Sequence, residues 1–588
     1  MAAPRRRPQR ADEDSPAWVV LLLGCLIGLA AAAATFPPEF LVPRAGQAFA
    51  PSGDAAQHAI AQRYFIAAPW GWPPLLITGL DVPRGTHLGF ADGIPLLALI
   101  LRPAASWLPP GFHGIGLWYA IAHALQPVAA VWALRGTGER RFWPAIGVAL
   151  AALAMPAWLA RYGHAALTGH FLILLAIGWY FRLVARQGVW RWVGALATAV
   201  AALLVHPYLA AMVLAVLGAV PLTLLLRGDR GWAWAALGMA ATIGAVAGLM
   251  AGFGYLGATG DGGYGQFAMN LLSPFWPYRS GLLPGLAAAE IDATGKGGWE
   301  GYNWLGAGLL AALAGCLLLA PRASAAGLLR HGGLLLVLAG LTALAISHRV
   351  GFGTRIVFDP GPVPAALEQF RASGRFFWPV AYALLIGGFA TLAQLGRAGP
   401  WLAAAFGALQ LADSLPIRAD LRTWAHARTP WVIEAGALRP LMASATYLTL
   451  LPSWSCIAPG ANQTFEQAHQ VLALASEVAL PVSTMHLARW RERPRCDDES
   501  LAAAPFRPGE LRLILPAALP QALPLLPEAE ARCRMVGIAM ACVDPPAIVL
   551  PAMPPLPEEP ALEPVPEPPV VHWEDAAPPD TGGGSSSR

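Results

Sequence analysis

Lysine is nearly missing from this 588-residue chain. Lys296 is the single lysine among 39 basic residues, and charged residues of both signs make up only 13%. Soluble domains carry roughly 25%, so a soluble globular fold is excluded at the outset, and the arginine bias reads as base composition rather than function. The net charge of +4 sits on scattered arginines with no stripe to track a phosphate backbone, so no nucleic-acid partner is expected. Cysteine is scarce too, six in all, and the absence of any C-x-x-C pair argues against a zinc knuckle. There is no G-x-x-x-x-G-K-[ST] loop and no H-E-x-x-H, so neither ATP hydrolysis nor zinc proteolysis fits. GFGYLG at 252–257 matches G-x-G-x-x-G. It follows an apolar span and not a strand, and the dinucleotide reading fails.

What the chain does have is apolar length. Hydrophobic residues reach 56%, in runs that approach the ~20 residues needed to cross a bilayer. The first run, 17–35, follows Arg5, Arg6, Arg7 and Arg10, and the FPPEF after it lacks a small-residue cleavage pattern. It is expected to be an outward-running span rather than a cleaved signal, with a cytoplasmic basic N-terminus at 1–16. Placing the arginine clusters at 135–141, 182–191, 227–230, 322–330 and 397 inside threads about eleven spans through residues 17–412. Long outer loops then fall at 36–111, 253–304 and 347–377. Within the first of these, IPLLALILRPAASWLPP is interrupted by Arg102 and prolines, and is expected to lie on the membrane surface.

From residue 413 the pattern changes. ATYLTLLPSW, PVSTMHLARW, ELRLILP and CRMVGIAMAC alternate with a helical TFEQAHQVLALASEV, which predicts a small outer α/β domain at 413–544 with a largely parallel sheet. Four of the six cysteines lie there, and an even set suits an oxidising compartment such as a periplasm. Three pairings are open; a hairpin turning at Gly537-Ile538 sets Cys533 opposite Cys542 and leaves Cys456 for Cys496. The Pro- and Glu-rich stretch 545–588 cannot bury a core and is expected to be disordered.

Polar residues then mark a possible site. Ser52 or Gly53 caps a helix whose first turn holds Asp54, with Gln57 and His58 on the same face. A helix N-terminus favours an ionised carboxylate, suited to a general base or a metal ligand. Asp92 in FADGIP is a second carboxylate, or merely the cap of the surface helix. Arg161, His164 and His170 crowd one outer turn, and His206 stands at the His-Pro-Tyr turn of another. Arg371 and Arg375, four apart, would share a cationic face if that segment is helical, and guanidinium forks suit phosphate.

The order of these parts resembles the GT-C superfamily of membrane glycosyltransferases: one outward helix, a long acidic outer loop, many spans, then an outer domain. More closely, GDAAQH, the Pro83–Leu96 segment and FRASGRFFWP resemble a family of bacterial multipass proteins catalogued as a domain of unknown function, over residues 36–543. The first resemblance implies a GT-C-like fold in a bacterial inner membrane and a polyprenyl-phosphate-linked sugar donor among membrane lipid. It also implies a periplasmic glycan or lipid acceptor, with Asp54 and Asp92 catalytic; from the residues themselves, His58, Arg161, His164, His170, His206, Arg371 and Arg375 are expected to line the substrate. No E-x-D or D-x-D follows the first span, which leaves a divalent metal open. A flippase of lipid-linked saccharide or a non-catalytic assembly partner are the competing readings. A transporter would carry its polar groups at mid-membrane.

Overall fold

A computed structural model of the chain describes residues 14–43, 53–289, 291–295 and 300–544. The N-terminus expected to be cytoplasmic, apart from 14–16, lies outside these residues, as do Ser52, Lys296 and the tail at 545–588.

Among the described residues, six helices are long and apolar enough to cross a membrane: Ala17–Thr35, Ile115–Gly136, Ala165–Ala185, Pro207–Leu226, Trp232–Phe253 and Ser373–Ala393. A seventh is the pair Ala307–Leu319 and Pro321–Arg330, bent by 104°. The chain is a membrane protein built largely of helices. The other stretches read as spans form shorter helices: Phe142–Leu153, Val189–Val205, Gly332–Ile346 and Gly399–Asp413. Proline sets several of these limits. It is tolerated in a first helical turn, where its missing N–H is no loss. Pro156 starts a new short helix after Phe142–Leu153, Pro207 starts the helix after Val189–Val205, and Pro321 opens the bent arm.

Close packing holds the bundle. Gly147 and Gly407 face each other, and a Cβ on Gly407 would fall 2.3 Å from the Gly147 carbonyl oxygen. Helices Phe142–Leu153 and Gly399–Asp413 can approach only because both residues lack side chains. Ser15 and the 135–141 loop are joined by hydrogen bonds, Ser15 N to the Arg140 carbonyl at 3.1 Å and Arg135 Nη1 to the Ser15 carbonyl at 3.2 Å. The start of the first helix and this basic loop therefore lie at one end of the bundle.

The C-terminal domain has a four-stranded sheet. Tyr447–Leu451 and Glu510–Ile514 run parallel, whereas Ala539–Val543 is antiparallel to Glu510–Ile514 and to the edge strand Cys533–Val536. The sheet is mixed and not largely parallel, because the last two strands form a tight hairpin through Gly537, at φ 58°. Cys533 is disulfide-bonded to Cys542 across that hairpin, and Cys456 to Cys496. PVSTMHLARW, expected to be a strand, makes only isolated bridges, Val482 to Leu448 and Trp490 to Thr259. Its apolar residues Val482 and Met485 are buried, while Ala488 and Arg489 give their main-chain N–H groups to the Phe90 carbonyl instead of to a neighbouring strand.

The segment between the first two long helices ties the two parts together. Helix Gly53–Ala67 is buried from Ala55 to Ile66 and packs against helix Asn462–Glu477 of the C-terminal domain. Arg63 bonds Ser476 Oγ at 3.2 Å, Val482 N donates to the Gly79 carbonyl at 2.9 Å, and Val82 N donates to the Val482 carbonyl at 3.0 Å. Pro95–Leu101 and the 3-10 turn Arg102–Trp107 follow, with Arg102 packed over the rings of Phe65 and Trp70.

Candidate functional site

Asp54 lies in the first turn of Gly53–Ala67 and its side chain is 42% exposed, while the groups behind it are buried. Its Oδ2 is 3.1 Å from Nδ1 of His164. The other nitrogen of that ring, Nε2, is 3.7 Å from Glu300 Oε1. Glu300 is gripped from behind by Arg161 Nη1 at 2.7 Å and by Arg375, whose Nε donates to Oε2 at 2.9 Å and whose Nη2 donates to Oε1. A chain of contacts thus runs from an open carboxylate through an imidazole to a buried Arg–Glu–Arg cluster.

Burial works to raise the Glu300 carboxyl, but the guanidinium groups of Arg375 and Arg161 outweigh it and hold it well below the usual carboxylate range. Burial pulls His164 down, against Asp54 and Glu300, so the ring is largely neutral at pH 7. A neutral imidazole has one N–H, and the shorter contact puts it on Nδ1, donating to Asp54. Burial likewise acts to raise Asp54, yet His164, His486 and His58 bring it below its ordinary value. The Asp54 carboxylate is ionised at neutral pH.

Asp92 forms a second pair. It ends the 3-10 turn Leu88–Ala91 in the left-handed region, φ 49°, and the residue that precedes Pro95–Leu101 as its cap is Ile94. Asp92 is not the cap of that helix. His206 caps Pro207–Leu226: its Nδ1 accepts from Tyr208 N at 3.1 Å. That leaves the proton on Nε2, which lies 3.5 Å from Asp92 Oδ1. Burial first and then the charge of Asp54 push the Asp92 carboxyl up to about 7, against the pull of Arg489 and Arg375. Two carboxylates, each with its own histidine, are thereby driven to opposite sides of the ordinary range, which is how environments divide acid and base roles.

The remaining residues named from the sequence fall in different places. His58 is buried, with neither ring nitrogen hydrogen-bonded among the described residues, and its ring is 6.5 Å from that of His164. Burial holds it at about 3, hence neutral. His170 turns into the helix packing, its Nδ1 2.9 Å from the Tyr382 hydroxyl and its ring 4.1 Å from Trp378. The expected Arg371/Arg375 face does not form, because the 3-10 turn begins only at Ser373. Arg371 is exposed, 5.5 Å from the Phe267 ring, while Arg375 lies over Tyr208 and binds Glu300.

Glu300 and three groups of the C-terminal domain, His469, His486 and Arg489, were not singled out by the sequence. His469 Nε2 and His486 Nδ1 are 3.3 Å apart, and Trp454 stacks on His486 at 4.4 Å. No three His, Cys, Asp or Glu side chains among the described residues come together as a metal-binding set.

Residues 25–415 match the family described as Domain of unknown function (DUF6311), and residues 437–544 match its C-terminal domain. No curated protein matches the chain. Among solved structures, similarity extends to the archaeal oligosaccharyltransferase AglB from Archaeoglobus fulgidus, in complex with an inhibitory peptide and a dolichol-phosphate, at 15% identity and a TM-score of 0.40. The match covers 80% of this chain and 64% of that one, under two thirds of its length. A likeness of that degree fixes neither residue correspondence nor reaction.

Proposed function

The chain belongs to the DUF6311 family, and on its own residues we propose that it is a GT-C-like glycosyltransferase of a bacterial inner membrane. It would move a sugar from a polyprenyl-phosphate donor to a periplasmic glycan or lipid acceptor. The observation that carries this reading is the pairing of two carboxylates with two histidines, Asp54 with His164 and Asp92 with His206, around one cluster. In this proposal residues 17–412 form the transmembrane domain and 413–544 a periplasmic domain.

The acceptor hydroxyl attacks the anomeric carbon as its proton passes to Asp54, already ionised and held by His164. The bond between that carbon and the donor phosphate breaks, and its electron pair leaves with the phosphate. Asp92, once ionised, faces the positive charge that builds on the sugar ring in an oxocarbenium-like transition state. Positioned proton transfer contributes about 10²–10⁴-fold, so Asp54→Asn is expected to lower transfer by about that factor while leaving the protein folded. The measurement is transfer of labelled sugar from a polyprenyl-phosphate donor by purified protein in lipid. Full activity in Asp54→Asn at wild-type expression would leave the enzyme reading without its base.

A further inference from the structure

The arginines that the sequence assigns to phosphate are mostly engaged. Arg161 and Arg375 share Glu300, and Arg371 is exposed beside Phe267. A different guanidinium stands where the outer loops meet. Arg489 belongs to the C-terminal domain, in the segment that failed to become a strand. The main-chain N–H groups of Ala488 and Arg489 both donate to the Phe90 carbonyl, at 2.8 and 3.3 Å, just ahead of Asp92. Trp490 and Thr259 of the second outer loop exchange both their main-chain hydrogen bonds, at 3.1 and 2.8 Å. The Arg489 Nη2 donates at 3.0 Å to the carbonyl of Gln369 in the third outer loop. Gly260 leaves room for it, since a Cβ there would fall 2.5 Å from Nη1.

Three outer loops therefore box one half-buried guanidinium. Its side-chain hydrogen bonds go to the main-chain carbonyls of Ala488 and Gln369, and among the described residues it forms no ion pair. Neutral carbonyls orient the group without cancelling its charge, in contrast to Arg161 and Arg375. The Arg489 main chain is bonded to Phe90, two residues ahead of Asp92, so the group lies beside the proposed reacting centre.

We propose that Arg489 is the phosphate-binding residue of this site, so that the C-terminal domain completes the donor pocket. The proposal rests on the glycosyl-transfer reading and names the group that reads the donor's phosphate. A sugar joined to a lipid phosphate leaves that phosphodiester with one negative charge. When the anomeric C–O bond breaks, the electron pair stays on the phosphate oxygen, which gains a second negative charge, while the acceptor oxygen forms the new bond and its proton goes to Asp54. A guanidinium fork meets that growing charge with paired N–H donors, which an ammonium cannot match in geometry.

The test measures binding to the full-length protein in nanodiscs, with a polyprenyl phosphate, the matching uncharged polyprenol and inorganic phosphate as probes. Wild type is expected to prefer the polyprenyl phosphate to the polyprenol. Arg489→Gln should weaken polyprenyl-phosphate binding at least about tenfold, the scale of a lost charge-assisted hydrogen bond, with polyprenol binding unchanged. Arg371→Gln should leave both within about twofold. Inorganic phosphate that competes with the lipid in wild type and not in Arg489→Gln would support the same assignment for the headgroup apart from its lipid. Undiminished polyprenyl-phosphate affinity in Arg489→Gln, or an equal loss in Arg371→Gln, overturns it. If the Gln variant does not fold, Arg489→Lys decides, since unchanged affinity with the fork gone also overturns the proposal. A wild type that does not distinguish polyprenyl phosphate from polyprenol would instead sink the glycosyl-transfer reading itself.

Discussion

Glu300 balances two buried guanidinium groups, and its loss would strand both. Breaking a buried ion cluster by removing one partner costs about 3–5 kcal/mol, so Glu300→Gln should sharply lower the thermal unfolding midpoint of the detergent-solubilised protein. Its activity should fall with it, because Arg161 and Arg375, which Glu300 holds beside His164, lose their shared partner. Asp92 behaves in the opposite sense. Its carboxyl is raised to about 7, so the folded chain keeps a proton that the unfolded chain gives up near its ordinary value. That contribution opposes folding increasingly as pH climbs from about 4 to 7 and is constant above. Asp92→Asn should therefore stabilise the protein above pH 7, by up to about 4 kcal/mol, and not at pH 4. Wild-type transfer should rise as pH passes through about 7, and that limb should vanish in Asp92→Asn. A pH–rate profile beside a pH–melting series checks both halves.

The elements explain what the sequence revealed and what it withheld. Asp54, His58, His164 and His206 were legible because polar residues at the mouths of apolar helices have few structural reasons to be there. Glu300 was not, since one acid in a glycine- and aromatic-rich loop looks like any other loop charge. His486 and Arg489 were hidden by a misread element: the apolar alternation of PVSTMHLARW suits a strand, but only Val482 and Trp490 make bridges. The placement of the apolar helices was visible in the hydropathy, and the turn at Pro207 with it, whereas the break at Pro156 is one that a window average smooths away. Helix contacts also rest on absences that composition does not advertise. Gly407→Val would push a side chain into the Gly147 backbone and should cost at least the 1–3 kcal/mol typical of overpacking. It would be seen as lower recovery of folded protein from membranes, and recovery equal to wild type would argue against this helix crossing.

For the molecule as a whole, the proposed topology puts the basic loop at 135–141 in the cytoplasm and the C-terminal domain outside. Cysteines introduced at Thr137 and at the exposed Ser444 should react with impermeant thiol reagents from opposite sides of sealed vesicles. Labelling of Ser444→Cys from the cytoplasmic side would overturn that arrangement and the periplasmic reading together.

The Cys456–Cys496 disulfide, with its sequence separation of 40, brackets His469, His486 and Arg489, all that the C-terminal domain lends to the site. Seen as an event in the life of the chain, that bond is a maturation step. Under the proposed topology and function, a newly inserted molecule would hold its helices in place yet stay silent until its C-terminal domain is oxidised, and so could not consume donor while still being assembled. Joint replacement of Cys456 and Cys496 by serine should then depress transfer and phosphate binding while extraction of the helical part is unchanged. Full activity in that variant would show that the site assembles without waiting for the bond.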